Sequence, residues 1–225
     1  MCGIVGSVGE ENVADVLISG LQRLEYRGYD SAGVAIQTGN GIEIRRAVGK
    51  LRNLEKELAA HPIAGTVGIG HTRWATHGRP TEVNAHPHLA GPIALVHNGI
   101  IENHLQLRET LESQGYKIVS DTDTEILAHL VHREFEQSRS LFDAVQRALR
   151  IVRGAYAIAV LCNDEPDRIV VAQNASPLVI GLGEDAMYCA SDIPALLPYT
   201  NRMIFLKTKS CRDRSEWAQD LHAER

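Results

Sequence analysis

MCGIVG, residues 1–6, sets an apolar, glycine-spaced run at the start of a 225-residue chain. Chain termini usually carry polar residues and fray. Here Cys2, Ile4, Val5 and Val8 sit among Gly3, Gly6 and Gly9, a pattern that belongs in a buried strand. Two readings of Cys2 are open. In one it is a small apolar side chain, as free cysteines commonly are. In the other Met1 is removed, and Cys2 then carries a thiol and a free α-amine on one residue. Taken alone, the stretch favours the first.

Beyond it, Val13 to Leu24 reads as a helix with Val13, Val16, Leu17, Leu21 and Leu24 on one face. SAGVAIQTGNGIEIRRAVG (31–49) predicts a hairpin around Asn40-Gly41. A short amphipathic helix is expected over Lys50–His61, then strands in TVGIGHTRW and PIALVHNGII. The loop between those strands is rich in Gly, Pro, His and Thr, and its length suits function. Asn103 to Gln114 predicts a helix opened by an Asn103–Gln106 capping box, and Thr122–Glu125 is a stronger box for the next. Ser140 and Asp143 repeat the device. Apolar runs AYAIAVLC, RIVVAQ, PLVIGLG, AMYCAS and RMIFLK complete the chain. Strands come as hairpins and pairs, which points to helices layered on largely antiparallel sheets.

The length suits one large domain or two small ones. A net charge of −5 with both signs mixed argues against a nucleic-acid partner, which wants a basic stripe. No apolar run approaches the length of a membrane span. No basic stretch followed by an apolar core marks a secretory leader. Cys2, Cys162, Cys189 and Cys211 are far apart and form no C-x-x-C pair. They read as reduced thiols, which predicts a cytoplasmic protein.

Polar residues gather at strand ends: His71, Thr72, Arg73, Thr76 and His77; Asn84, His86 and His88; His97, Asn98, Gly99 and Asn103; Asp121 and Asp123. Loops held by a rigid sheet are where function tends to sit. Five histidines fall between positions 71 and 97, but neither H-E-x-x-H nor a Cys/His ligand spacing occurs, so no metal is expected. Asn98-Gly99 can supply the side-chain and backbone N–H groups of an oxyanion hole, or an ordinary turn. Arg73 has no acidic neighbour in sequence, and its fork matches a carboxylate or simply faces water. Asp123 at a helix start is favoured by the dipole whatever else it does.

Taken together, CGIVG (2–6), RLEYRGYDSAG (23–33), GHTRWATHG (70–78), NAHPH (84–88), HNGIIEN (97–103) and SDTDTE (120–125) resemble the glutaminase domain of the glutamine:fructose-6-phosphate amidotransferases. The resemblance runs from Met1 to about Leu206. It implies an N-terminal-nucleophile hydrolase, an α+β four-layer sandwich of two antiparallel sheets between two helical layers. It also implies that Met1 is trimmed, that the Cys2 thiol attacks the side-chain amide of glutamine, and that its own α-amine takes the thiol proton. Asn98 and Gly99 would hold the oxyanion, and Arg27 and Gly28 would place the N-terminal residue. Arg73 would grip the α-carboxylate and Asp123 the α-ammonium. Thr76, His77 and His86 would line the site, with Trp74 on a mobile lid. The family implies no cofactor, and a dimer only at full length.

Full synthases of this family continue into a sugar-phosphate isomerase half. After MIFL the family runs acidic, whereas here the chain reads KTKSCRDRSEWAQDLHAER. The expected organisation is a glutaminase domain over 1–206 and an atypical tail over 207–225. Three origins of that tail are open: a short helix, a vector-derived remnant, or a shifted reading frame. Two rival functions also stand: a glutaminase domain serving another acceptor, such as a phosphoribosyl transferase, and a non-catalytic glutamine sensor. The EYRGYDSAG wording weighs against the first. Cys2, Asn98 and Gly99 together weigh against the second.

Overall fold

The opening run forms a strand, β1 (Gly3–Val8), with every residue buried. The computed structural model describes residues 2–9, 12–207 and 210–212. Val5 points into an apolar cluster under a helical layer, while Ile4 and Val8 point into a cluster between two sheets. A strand covered on both faces needs no polar alternation.

α1 (Val13–Gln22) buries Val13, Val16, Leu17 and Leu21, and a 3₁₀ turn follows at Glu25–Arg27. β2 (Ser31–Thr38) and β3 (Gly41–Val48) make the expected hairpin, but its tip lies one residue earlier than Asn40-Gly41. Thr38 pairs with Gly41, so Gly39 and Asn40 form the loop. A tip at Asn40-Gly41 needs positive φ at both residues, and of the two only Gly41 has it. The Thr38 hydroxyl competes as well, donating to the Gly41 carbonyl at 2.9 Å and accepting from the Asn40 N–H at 3.2 Å.

The chain continues through α2 (Leu51–Ala60), β4 (Val67–Arg73), β5 (His88–Ala90), β6 (Ile93–Ile101), α3 (His104–Ser113), α4 (Asp123–Ser138) and α5 (Leu141–Ile151). Then come β7 (Gly154–Cys162), β8 (Glu165–Asn174), β9 (Val179–Leu182), β10 (Met187–Ala190), β11 (Met203–Phe205) and β12 (Ser210–Arg212). One sheet has the order β11-β9-β10-β1-β4-β2-β3 and the other β12-β8-β7-β6-β5. Neighbouring strands within both are antiparallel. α1 and α2 cover the outer face of the first sheet, and α4 and α5 that of the second. A third cluster, with Ile4, Ile69, Val96, Ala157 and Val171, fills the space between the sheets. The expected four layers are therefore present. β12 extends the second sheet past Leu206, while the short helix offered as one origin of the tail would lie outside the described residues.

Two helix caps form as expected. Thr122 Oγ1 accepts from the Glu125 N–H, and Ser140 Oγ from the Asp143 N–H, each at 3.3 Å. The Glu125 carboxylate does not return to Thr122. It accepts from the Val119 and Ser120 N–H groups instead. Burial opposes its charge, yet these bonds and the one from His129 hold its pKa down to about 2. Asn103 does not cap α3. Its amide donates to the Ile151 carbonyl and accepts from the Arg153 N–H, both at 2.9 Å, two backbone groups that outcompete the cap. No helix among the described residues is long and apolar enough to cross a membrane, and Cys2, Cys162 and Cys189 carry free thiols.

Candidate active site

The antiparallel pairing of β1 and β4 sets Gly3 opposite Thr72. The start of one strand thus lies beside the end of the other, and Cys2 beside Arg73. The Cys2 carbonyl accepts from Arg27 Nη1 at 3.3 Å and from Asn98 Nδ2 at 3.2 Å, a donor from the 3₁₀ turn and one from the second sheet. Arg27 is itself held by the Ser191 hydroxyl (3.2 Å) and carbonyl (3.3 Å) and by an ion pair with Asp192. Ser191 Oγ also accepts from the Ile4 N–H at 3.0 Å, tying this cluster to β1. Tyr26 and Arg27 keep the Asp192 carboxyl below its usual range despite the opposing effect of its burial. The Cys2 thiol lies against the Trp74 backbone, accepting from its N–H at 3.2 Å and lying 3.6 Å from its carbonyl. Burial pushes the thiol pKa up, and the Trp74 N–H only partly offsets this.

Gly99 follows Asn98 with φ 139°, and a Cβ there would come within 2.0 Å of the Ala155 carbonyl oxygen. Only glycine fits. Gly28 has φ 73°, and a Cβ would meet the Trp74 ring at 2.5 Å. Gly28 therefore seats the indole, while of the pair Arg27 is the one that bonds Cys2, at its carbonyl. Trp74 remains half exposed at the rim.

Above Cys2 the chain turns back through residues 74–79. The buried Arg73 guanidinium donates to the carbonyls of His77, Gly78 (3.1 Å) and Arg79 (3.4 Å) and lies 3.9 Å from Asp30. Asp30 accepts from the Ala75 N–H at 2.6 Å. The fork expected to take a carboxylate is thus engaged by the loop's own carbonyls. Asp123, on the first turn of α4, accepts from the Ile101 N–H at 2.8 Å through one oxygen. Cys2, Arg73, Trp74, Thr76, His77, His86, Gly99 and Asp123 all line one cleft. Its free volume is about 10 Å³, room for roughly one water.

His86 and His97 line the cleft, and His71 packs behind His86. His71, His86 and His97 are buried, and desolvation lowers all three pKa values, that of His71 to about 3. They are neutral near pH 7. Among the described residues no group of His, Cys, Asp and Glu is arranged to hold a metal ion. Asn84, His88 and Asp121 go elsewhere. Asn84 and Asp121 bond reciprocally at 3.1 and 2.9 Å, and His88 meets Thr122 Oγ1 at 3.0 Å, a clasp holding the 84–88 loop to the start of α4. Sequence reasoning missed Asp30, Ser191 and Asp192. Asp30 stood in a quoted motif and Ser191-Asp192 at the end of an apolar run, but no spacing linked them to Arg73 or Arg27. It also left out Thr122 and Thr124, which line the cleft.

A family profile described as "Glutamine amidotransferase domain" matches residues 71–198. Among curated relatives, the glutamine–fructose-6-phosphate aminotransferase [isomerizing] of Thermus thermophilus is 54% identical over 208 residues, 92% of this chain and 34% of that protein. The same-named protein of Escherichia coli K12 is 53% identical over an equal share. That of Haemophilus influenzae is 53% identical over 99% of this chain and 37% of its own. The chain thus spans about a third of the length of the curated relatives it matches. Among solved structures, a glutamine phosphoribosylpyrophosphate amidotransferase from Bacillus subtilis superposes with a TM-score of 0.79 at 27% identity, covering 95% of this chain and 49% of that one.

Proposed function

The chain belongs to the glutamine amidotransferase domain family, and from that premise we propose that it hydrolyses L-glutamine to glutamate and ammonia through a thioester on Cys2. The observation that carries this reading is the meeting of the Cys2 backbone, held by Arg27 and Asn98, with a cleft lined by Arg73, Gly99 and Asp123.

With Met1 removed, the α-amine of Cys2 lies beside its thiol. A raised thiol pKa keeps the thiolate scarce, so a base is needed. An α-amine titrating at about 7.7–8.0 serves near neutral pH. It takes the thiol proton as sulfur attacks the amide carbon. Asn98 Nδ2–H and the Gly99 N–H stabilise the oxyanion. The α-ammonium returns the proton to the amide nitrogen, the C–N bond breaks, and ammonia leaves. Water then attacks the thioester, giving up a proton to the amine, and glutamate departs as the thiol is restored.

Arg73 takes the substrate α-carboxylate and Asp123 its α-ammonium, with Thr76, His77 and His86 lining the space between. A cleft that holds one water admits glutamine only if residues 74–79 lift. Arg73 then exchanges loop carbonyls for the carboxylate. Paired grips of this kind select the free amino acid, since a glutamine within a peptide would leave each buried charge unpaired.

Residues 1–206 form the glutaminase unit in this reading, and no cofactor takes part. The ammonia serves amination of fructose-6-phosphate, on the name of relatives more than 50% identical; the phosphoribosyl alternative has only the more distant structural likeness. An intact-mass measurement shows whether Met1 is gone, and a glutamate assay on the wild type and on Cys2→Ala tests the rest. Glutamate from the wild type alone supports the reading. Turnover by the alanine variant overturns it.

A further inference from the structure

The oxyanion role given to Asn98 requires its amide to point one way: Nδ2 toward the reaction and Oδ1 away. Nothing in an asparagine itself decides this, since the two ends are nearly the same size. Two groups act on the amide: the Cys2 carbonyl, which accepts from Nδ2, and a histidine on β4 that faces Oδ1. His71 is fully buried, opposite Ile4 of β1 and Gly33 of β2. Its Nε2 lies 3.0 Å from the His97 carbonyl oxygen and 2.9 Å from Asn98 Oδ1. A backbone carbonyl only accepts, so Nε2 must carry the hydrogen. Nε2–H in turn demands an acceptor from Asn98, which places Oδ1 against it and Nδ2 toward Cys2. The opposite tautomer fails twice. It turns a nitrogen lone pair on the His97 carbonyl, and it buries an Nδ1–H that has no hydrogen-bond partner among the described residues. The His86 ring, 4.2 Å away, packs against the imidazole. Burial keeps His71 neutral, so protonation does not undo the arrangement near pH 7.

Resting on the glutaminase reading, we propose that His71 is a positioning residue: as the Nε2–H tautomer it locks the Asn98 carboxamide in the one orientation that serves the oxyanion. It touches neither substrate nor thiol. Its effect passes entirely through Asn98.

The test is a double-mutant cycle on the full chain, with glutamate release as readout. His71→Leu keeps bulk and removes the donor. It should lower kcat by about tenfold to a hundredfold, less than losing the Asn98 donor outright, while KM for glutamine stays within about twofold. In an Asn98→Ala background the same change should cost almost nothing, because the group it orients is gone. His71→Gln, which can still donate, should recover part of the loss. Equal losses in both backgrounds would overturn the assignment, since a merely structural histidine damages both alike. A second measurement needs no variant: nitrogen-15 NMR of the wild type should give His71 as the neutral Nε2–H tautomer from pH 5 to 9. An Nδ1–H tautomer refutes the proposal even where His71→Leu does not fold. Should the wild type release no glutamate, the glutaminase reading fails, and the tautomer still judges the orientation of Asn98.

Discussion

The floor and the roof of the cleft are built differently. The floor is framework: Cys2 at the head of β1, Asn98 and Gly99 in β6, and Arg27 clamped by Ser191 and Asp192. Each floor group is held by a ladder or by a side chain that is itself held. The roof, residues 74–79, hangs on Arg73 and Asp30 through side-chain bonds to loop backbone. In the reaction proposed above, preorganised donors act in the transition state, whereas lifting of the roof would govern how substrate is admitted and held. Floor substitutions should therefore act on kcat and roof substitutions on KM.

The largest effect is expected at Cys2. Cys2→Ala should abolish glutamate release yet leave glutamine binding, read by calorimetry, largely intact, because the grips are elsewhere. Cys2→Ser should also be crippled, since an alcohol is far harder to deprotonate than a thiol of pKa about 8.5. Next comes Asn98→Ala, with kcat lower by about 10² to 10³ and little change in KM. A rise in KM with kcat unchanged would break the division between floor and roof. Arg73→Lys should do the reverse, raising KM by about tenfold to a hundredfold, because lysine keeps the charge and loses the fork. Gly28→Ala is expected to be milder. Its new methyl meets the Trp74 ring, so KM should rise a few-fold with kcat nearly preserved, and steady-state kinetics on the two glycine-site variants, Gly28→Ala and Gly99→Ala, would sharpen the contrast by placing the kcat loss in the second.

The smallest effect near neutrality, but a growing one in acid, concerns the buried histidines in and around the cleft. His71, His86, His88 and His97 have folded pKa values below the ordinary 6.5, chiefly through burial. Below pH 6.5 the unfolded chain therefore binds protons that the folded chain refuses, and stability falls as pH drops. For His71 and His88 the loss continues to about pH 3. Glu125, lowered from 4.5 to about 2, adds a loss of the same sign beneath it. Tm should decline from just below pH 6.5, and a flat Tm from pH 7 to 5 would contradict buried, neutral histidines.

Much of this was legible in the sequence, for identifiable reasons. Helix faces and buried strands follow from periodicity, and α1 and β1 form where Leu17, Leu21, Ile4 and Val5 required. The cleft-lining residues Arg73, Thr76, His77 and Gly99 lie at or just past strand ends, so local reading reached them. Asp192 was out of reach, because only the return of β10 alongside β1 brings it to Arg27. Asn103 misled for the same reason: its competing partners, Ile151 and Arg153, are distant in sequence. At Asn40 the error was local, a turn shifted one residue by the Thr38 hydroxyl. Asn84 and His88 looked as functional as Arg73, and nothing short of the fold separates a clasp from a cleft wall.

The strand β12 bears on where this domain can be cut. Its residues pair with Val171, Ala172 and Gln173 of β8, and the Gln173 amide also donates to the Leu206 carbonyl. A truncation at Leu206, the boundary the sequence suggests, would strip that cover and leave an apolar strand with its backbone donors and acceptors bare. Such an edge templates another copy of itself. Material ending at 206 should then self-associate on storage where material reaching past 212 stays dispersed, with the floor of the cleft, on the other side of β7, untouched in both.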